Sequence, residues 1–121
     1  MYCLDTYALI EIHNNNPNFL SILNKDFVIT DLTMAEFYGI ILREYNEKTA
    51  NYLFRKFEAY LKQVEMTTLI KAVKFRYENK KQNLSFFDYV GYIFAVENNM
   101  KFVTGDKQFE ERENVEYIKK D

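Results

Sequence analysis

Residues 84–107, LSFFDYVGYIFAVENNMKFVTGDK, constrain the fold more than any other stretch of the chain. Apolar residues recur at helical spacing over residues 86–98, which predicts a helix that is buried on more than one side. The apolar run at residues 101–104 has the length of a short buried strand, and Gly105-Asp106 turns the chain where that strand ends. Because a helix followed by a buried strand returns the chain across a sheet, this stretch predicts an α/β architecture.

The same alternation of strands and helices continues through the rest of the sequence. Short apolar runs predict further strands at residues 1–4, 27–30 and 115–118, the last of them at an edge of the sheet. Helical spacing and capping residues predict helices at residues 7–12, 17–23, 34–45, 48–64 and 67–79. Between the last two helices, Glu65-Met66 leaves room for a very short strand or for none. We therefore expect a three-layer α/β sandwich with a short central, mostly parallel sheet flanked by helices.

Composition limits the classes of protein that fit this fold. The 121 residues are 48% hydrophobic, which is enough for one domain over residues 1–121 with a sizeable core. The net charge of −2 disfavours a generally basic nucleic-acid binder but permits local basic patches. Cys3 is the only cysteine and no apolar run reaches about 18 residues, so we expect a reducing compartment and no membrane. Met1 leads directly into the first strand without a basic leader, which predicts a cytoplasmic protein.

Four carboxylates fall where such a fold forms its sites. Asp5 ends the first strand, Glu36 lies in the first turn of the helix after the second strand, and Asp88 begins the helix of residues 86–98. Asp106 follows the strand of residues 101–104. Sites in parallel sheets form in the crevice beyond the carboxyl ends of the strands, so the topology brings these acids together. Four carboxylates at one edge would repel one another, and an all-oxygen set of ligands suits Mg²⁺ or Mn²⁺ as the ion that neutralises them.

Each acid also has a simpler structural explanation. Residues 33–36 and residues 85–88 both fit a capping box, in which a carboxylate returns a hydrogen bond to the start of its own helix. Acids in the first turn of a helix are stabilised by the helix dipole, and Asp106 fits a turn. Capping residues of separate helices have no reason to lie close together, however. The expected convergence of all four carboxylates therefore favours a metal site.

Four segments around these acids resemble the PIN-domain family, and most closely its small VapC-type toxin ribonucleases. The segments are residues 4–6, 33–39, 84–88 and 103–109, and they occur in the family's order over nearly the whole chain. The resemblance implies a metal-dependent endoribonuclease whose acidic set is Asp5, Glu36, Asp88 and Asp106. It also implies that Thr6 and Thr104 are hydroxyls that support the site.

The sequence departs from the family's pattern at two places. The family often has a basic residue where Gly105 stands, and the lack of that side chain alters how RNA is held. It often has small alanines where this chain has Tyr89, Tyr92 and Phe94, which alters the packing of the helix. Neither departure removes a carboxylate.

The resemblance also implies partners, namely an RNA substrate, a small antitoxin protein and a second copy of the chain in a homodimer. The candidate RNA contacts form one basic stretch: Lys71, Lys74, Arg76, Lys80 and Lys81. The same pattern is equally typical of a helix face that is exposed to solvent. Three other functions stay open. The chain could be a non-catalytic PIN-like scaffold, a Mg²⁺-binding interaction domain, or a PIN ribonuclease of RNA processing that is not a toxin.

Overall fold

Five short parallel strands form one sheet in the computed structural model, which describes residues 1–121. The strands are β1 (Tyr2–Leu4), β2 (Phe27–Thr30), β3 (Leu61–Lys62), β4 (Lys101–Thr104) and β5 (Val115–Tyr117). They lie in the order β3-β2-β1-β4-β5, and every neighbouring pair is parallel. β1 pairs with β2 on one side and with β4 on the other, so the topological switch point of the sheet lies beside β1.

Six helices connect these strands. They are α1 (Thr6–His13), α2 (Pro17–Leu20), α3 (Asp31–Glu44), α4 (Glu47–Phe57), α5 (Met66–Glu78) and α6 (Phe86–Glu97). Local sequence explains where several begin, since Asp5, Thr30 and Asn46 each accept a backbone N–H as the N-cap of α1, α3 and α4. The predicted helix of residues 17–23 divides into α2 and a 3-10 turn at Ser21–Asn24.

Side chains that alternate along the strands give the molecule three layers. Leu4, Ile29 and Val103 point into one core, which the apolar faces of α1, α3 and α4 complete. Cys3, Val28 and Phe102, each a neighbour of one of those residues, point into a second core with α6 and the inner face of α5. The predicted three-layer sandwich with helices on both faces of a parallel sheet is therefore confirmed.

The predicted helix of residues 48–64 is wrong in its second half. α4 ends at Phe57, a 3-10 turn follows at Glu58–Tyr60, and β3 then occupies Leu61–Lys62. The apolar spacing continues to Val64, so the sequence contains no local stop signal. Pairing decides the outcome, because β3 completes the sheet by lying beside Ile29 and Thr30 of β2.

α6 lies unusually close to the sheet. A Cβ atom at Gly91 would lie 2.8 Å from the ring of Phe102 on β4, so only glycine allows this approach. This contact holds the middle of α6 against β4. The neighbouring helix α5 is held less deeply, and its apolar residues Ile70, Val73 and Tyr77 remain exposed. None of the helices combines the length and the apolar character that a membrane crossing requires.

Candidate active site

Two aspartates end adjacent strands at the switch point of the sheet. Asp5 follows β1 and Asp106 follows β4, and Leu4 is paired with Val103 in the register that joins these strands. The N–H of Asp5 continues the ladder by donating to the carbonyl of Val103 at 3.1 Å. The expected convergence of these two carboxylates follows directly from this register.

Asp88 reaches the same edge from α6. Its Oδ2 accepts hydrogen bonds from the N–H and the hydroxyl of Ser85, both at 3.0 Å, and the Ser85 hydroxyl in turn caps the N–H of Asp88. The capping box predicted at residues 85–88 is therefore present. It fixes one oxygen of Asp88 and leaves Oδ1 without a protein hydrogen bond.

Glu36 belongs to the second turn of α3 and not to its first. The helix begins at Asp31, because the Thr30 hydroxyl accepts the N–H of Thr33 and starts the helix three residues before the predicted position. The predicted capping box at residues 33–36 is therefore wrong. Glu36 Oε1 instead accepts a hydrogen bond from the Thr6 hydroxyl at 2.5 Å, which ties α3 to the start of α1.

Both predicted supporting hydroxyls lie against the acids. Thr6 holds Glu36, while Thr104, fully buried at the end of β4, contacts Asp5 and accepts the N–H of Asp106 at 3.0 Å. Asp5 Oδ1 also accepts the N–H of Ala8 at 2.8 Å. The site is thus held by bonds between elements that are distant in sequence.

The electrostatics of the cluster are those of crowded, unneutralised carboxylates. Burial raises the pKa of Asp5 from 3.8 to about 8; the Thr104 hydroxyl and the Ala8 N–H oppose this rise, and the charges of Asp88 and Asp106 add to it. Burial also raises the pKa of Glu36 and of Asp88, each with a further rise from a neighbouring acid. The structure has one ion pair, between Lys71 and Glu97, so no basic side chain neutralises these acids.

The donor set fits a hard divalent cation. The acids supply oxygen ligands only, and Glu36, Asp88 and Asp106 each use a single oxygen in hydrogen bonds within the protein. No three acidic, histidine or cysteine side chains lie close enough to form a coordination sphere without rearrangement. The fit therefore rests on chemistry: buried carboxylates with raised pKa values and no basic partner are those that a bound Mg²⁺ or Mn²⁺ would stabilise.

The predicted basic stretch is divided by the structure. Lys71 is bonded to Glu97 at 2.5 Å, whereas Lys74 and Arg76 are exposed on α5. Lys80 and Lys81 are exposed in the turn after α5. Arg76 and Lys80 line a groove of about 420 Å³ that also includes Leu84 and Phe86, the residues on either side of the α6 N-cap. This groove reaches the first residue of α6.

A second groove, which the sequence did not indicate, lies beside Asp106. It has a volume of about 590 Å³, and its lining is Tyr7, Gly105, Asp106, Lys107, Tyr117, Lys119, Lys120 and Asp121. Two of its three lysines, Lys119 and Lys120, lie in the polar segment after β5, where local sequence gives no indication of a site, and Lys107 lies in the turn after Asp106. The absence of a basic residue at position 105 was the one signal that positive charge had to come from elsewhere.

Comparison with known structures finds the same architecture. The sarcin-ricin-loop-cleaving toxin VapC20 of Mycobacterium tuberculosis superimposes with a TM-score of 0.77 at 11% identity, over 91% of this chain and 93% of that one. A toxin–antitoxin complex from Klebsiella pneumoniae gives 0.74 at 18% identity, over 96% of each chain. VapBC2 of Rickettsia felis, bound to a fragment of its promoter DNA, gives 0.73 at 17% identity, over 97% of this chain and 98% of that one.

Sequence comparison gives two further findings. No curated protein matches the chain at a significant level. The sequence profile of the PIN domain matches residues 2–115, which include all the acids and hydroxyls described above. The chain therefore belongs to the PIN domain family.

Proposed function

We propose that this protein is an endoribonuclease that uses Mg²⁺ or Mn²⁺ to hydrolyse phosphodiester bonds in RNA, and that it is the toxin of a toxin–antitoxin pair. One observation carries the proposal. Asp5, Glu36, Asp88 and Asp106 come from four different elements to one edge of the sheet, where no basic side chain is bonded to them. Membership of the PIN domain family supports the nuclease activity.

The roles of the acids follow from their positions. Asp5 and Asp106, at the ends of adjacent strands, are proposed to hold the cation, and Asp88 to complete its ligands directly or through water. A bound Mg²⁺ or Mn²⁺ supplies a water of lowered pKa and stabilises charge on the attacked phosphate and the leaving oxygen. Glu36 keeps Oε2 free while Thr6 holds Oε1, so Glu36 can orient the attacking water and accept its proton at Oε2.

Metal binding and cleavage test this proposal together. Calorimetry with Mn²⁺ should show binding to the intact chain and none to Asp106→Asn, with circular dichroism showing that the variant is folded. The intact chain should then cut single-stranded RNA only when the ion is present. A folded intact chain that binds neither Mn²⁺ nor Mg²⁺ would overturn the proposal.

A non-catalytic scaffold is a second candidate, because three of the acids also act as caps. Asp5 caps α1, Asp88 completes the capping box of α6, and Asp106 caps the 3-10 turn at Lys107–Phe109. If capping were their only role, asparagine would replace each of them with little loss, since it caps helices about as well as aspartate. Asp5→Asn should then retain every function of the chain, whereas a nuclease would lose cleavage.

The toxin role and its partners are proposed from the relatives. The structure from Klebsiella pneumoniae is a toxin–antitoxin complex and that from Rickettsia felis is VapBC2, so we propose a small antitoxin protein as a partner of this chain. A homodimer is proposed on the same resemblance, and sedimentation of the chain alone tests it. Induced expression should arrest growth with the intact chain and not with Asp5→Asn. Equal growth with both would favour an RNA-processing enzyme or a scaffold.

A further inference from the structure

The lysine groove, defined by Tyr7, Gly105, Lys107, Tyr117, Lys119 and Lys120, opens directly beside Asp106. Asp106 belongs both to the lining of this groove and to the acidic cluster. Any chain that crosses the acids at the ends of β1 and β4 can therefore continue into the groove. Its volume of about 590 Å³ is of the size that holds a small molecule or a nucleotide unit.

Gly105 shapes the groove by allowing Tyr7 to lie against the backbone. A Cβ atom at position 105 would lie 2.3 Å from Cε1 of Tyr7, so any side chain there would displace the ring. Tyr7 is half-buried and also packs against Phe19, with 6.1 Å between the ring centroids. The space that a basic residue at position 105 would occupy is therefore filled by an aromatic wall.

Most of the positive charge of the groove comes instead from the segment after β5, which is tied in place through its backbone. The N–H of Ile118 donates to the carbonyl of Thr104 at 2.9 Å. The Asn16 side chain donates to the carbonyl of Lys120 at 2.8 Å, and that of Asn18 donates to the carbonyl of Lys119 at 3.1 Å. Within the segment these bonds use backbone atoms only, so they leave the lysine ammonium groups available.

The three lysines of the groove have no carboxylate partner. Lys107, Lys119 and Lys120 are exposed, and the single ion pair of the structure lies elsewhere, at Lys71 and Glu97. Two acids, Asp106 and Asp121, also line the groove, so its positive excess is modest. Exposed ammonium groups beside tyrosine rings form the combination that binds single-stranded nucleic acid, in which cations contact phosphates and rings stack on unpaired bases.

We propose that the lysine groove is a subsite for single-stranded RNA, which receives the nucleotide next to the bond that the acids cleave. Lys107, Lys119 and Lys120 contact its phosphates, and the rings of Tyr7 and Tyr117 contact its base. The inference rests on the proposed nuclease function, and it assigns to the segment after β5 the positive charge that position 105 lacks.

The test measures RNA binding by fluorescence anisotropy, with a labelled single-stranded RNA of about 12 nucleotides and mixed sequence. All variants carry Asp5→Asn, so that the RNA is not cut. The double variant Lys119→Ala, Lys120→Ala should bind at least about tenfold more weakly near 0.1 M salt, because each phosphate contact on a single strand contributes about 0.7 to the slope of log K against log salt. That slope should fall by about 1.4.

A matched control removes the same charge elsewhere. Lys48→Ala with Lys56→Ala takes two exposed lysines from α4, which packs on α3 away from the groove. This control should bind RNA within about twofold of the parent. Equal binding by the groove variant and the parent would overturn the proposal, and so would an equal loss in the groove variant and the control.

Two further variants keep every lysine, so they distinguish binding in the groove from a general effect of positive charge. Asn18→Ala keeps every lysine but removes a bond that holds the segment, and it should weaken binding about twofold to threefold. Tyr117→Leu keeps apolar bulk on β5 and should weaken binding about fivefold if the ring stacks on a base. Unchanged affinity in both variants would show that the groove is not a built subsite.

The outcome is distinguishable from failure of the nuclease proposal. Mn²⁺ binding and cleavage are measured on the chain that retains Asp5, and the lysine variants should leave Mn²⁺ affinity unchanged. Intact metal binding and cleavage with no effect of the groove variants on RNA affinity would overturn the subsite alone. Absence of both metal binding and RNA binding would overturn the two proposals together.

Discussion

The acidic cluster and the lysine groove share Asp106, yet they are built in opposite ways. The acids are at least partly buried, and each is held by hydrogen bonds from another residue, such as the bond from Thr6 to Glu36. The lysines of the groove are exposed, and only the backbone around them is tied, by Asn16 and Asn18. Chemistry at a phosphate requires groups that are fixed and desolvated beforehand, whereas holding a flexible polyanion requires charges that water can reach.

The largest expected effect is a loss of RNA cleavage that leaves RNA affinity unchanged, which distinguishes the acidic cluster from the lysine groove. Asp5→Asn should reduce cleavage at saturating RNA by about a thousandfold, because it removes a proposed metal ligand from the most buried position of the cluster. Affinity for uncut RNA should change little, since the groove is intact. A gel assay of labelled RNA with Mg²⁺ measures the cleavage rate, and anisotropy measures the affinity.

Asp26→Asn is the matched control for this substitution. Asp26 is exposed just before β2, and its side chain makes no hydrogen bond or ion pair. Its variant should cut RNA at the parental rate. If Asp5→Asn lost Mn²⁺ binding but retained substantial cleavage, the metal bound at this cluster would not be required for hydrolysis, and the proposed mechanism would be wrong.

The second effect is on stability, and it depends on pH. Because the pKa of Asp5 is raised from 3.8 to about 8 in the folded chain, the folded state binds more protons than the unfolded state between these values. In the metal-free protein, the contribution of Asp5 to the free energy of unfolding should therefore be fully present below about pH 4. It should be lost as the pH rises toward 8. The raised pKa values of Glu36 and Asp88 act in the same direction.

Thermal unfolding with a chelator present measures this effect. Asp5→Asn should unfold about 5 °C higher than the parent at pH 8, which corresponds to about 1 kcal/mol, and the difference should shrink at pH 5. Mn²⁺ should raise the melting temperature of the parent at pH 8 and not that of the variant. A parent that becomes more stable from pH 5 to pH 8 without metal would contradict the raised pKa of Asp5.

Most of the acidic cluster could be predicted from sequence because its determinants are local. Asp5 directly follows β1 and Asp106 lies two residues after the end of β4; both strands are recognisable as short apolar runs, and the parallel topology then brings the two acids to one edge. Asp88 follows Ser85 at capping-box spacing, which predicts its place at the start of α6. The prediction that Glu36 lies in the first turn of α3 was wrong by one turn, because Thr30 is the N-cap and the helix begins earlier.

What could not be predicted depends on long-range pairing. β3 has two residues and sits inside a continuous apolar helical pattern, so only its pairing with β2 identifies it. The lysine groove needs the parallel pairing of β5 with β4 and the amides of Asn16 and Asn18, about a hundred residues earlier. Neither feature has a signature within a short window of sequence.

A smaller effect tests how the cluster is held together. Thr6→Val keeps the shape of the side chain but removes the hydroxyl that donates to Glu36, and it should lower the cleavage rate about tenfold. Thr6→Ser should restore most of that rate, because serine supplies the same donor. The affinity for RNA should be unchanged in both variants, which distinguishes a role in the cluster from one in the groove.

Cleavage rates with Mg²⁺ as a function of pH check this prediction. Burial raises the pKa of Glu36 and the hydrogen bond from Thr6 opposes that rise, so the valine variant should shift the rising limb of the profile to higher pH. An equal rate loss in Thr6→Ser and Thr6→Val would point to packing at position 6 and away from the hydroxyl.

The smallest expected effect concerns a lysine that already has a partner. Lys71 is bonded to Glu97, and both side chains are partly exposed, at 61% and 27%. Lys71→Met should leave RNA affinity within about twofold of the parent, because a cation held by a carboxylate adds little net charge to the surface. It should lower the free energy of unfolding by less than about 1 kcal/mol, as exposed ion pairs do.

The pH dependence of the stability difference between the parent and Lys71→Met tests whether this difference comes from the ion pair. Hydrogen bonds from Lys71 and Thr68 hold the pKa of Glu97 below its usual range, so this stabilisation is present above that range and disappears as pH falls through the lowered pKa. Urea unfolding should therefore show the difference between parent and variant at pH 7, and the difference should shrink as the pH falls below the usual range of a glutamate. If Lys71→Met weakened RNA binding as strongly as the loss of Lys119 and Lys120, availability of the ammonium group would not be what distinguishes the groove from the rest of the basic surface.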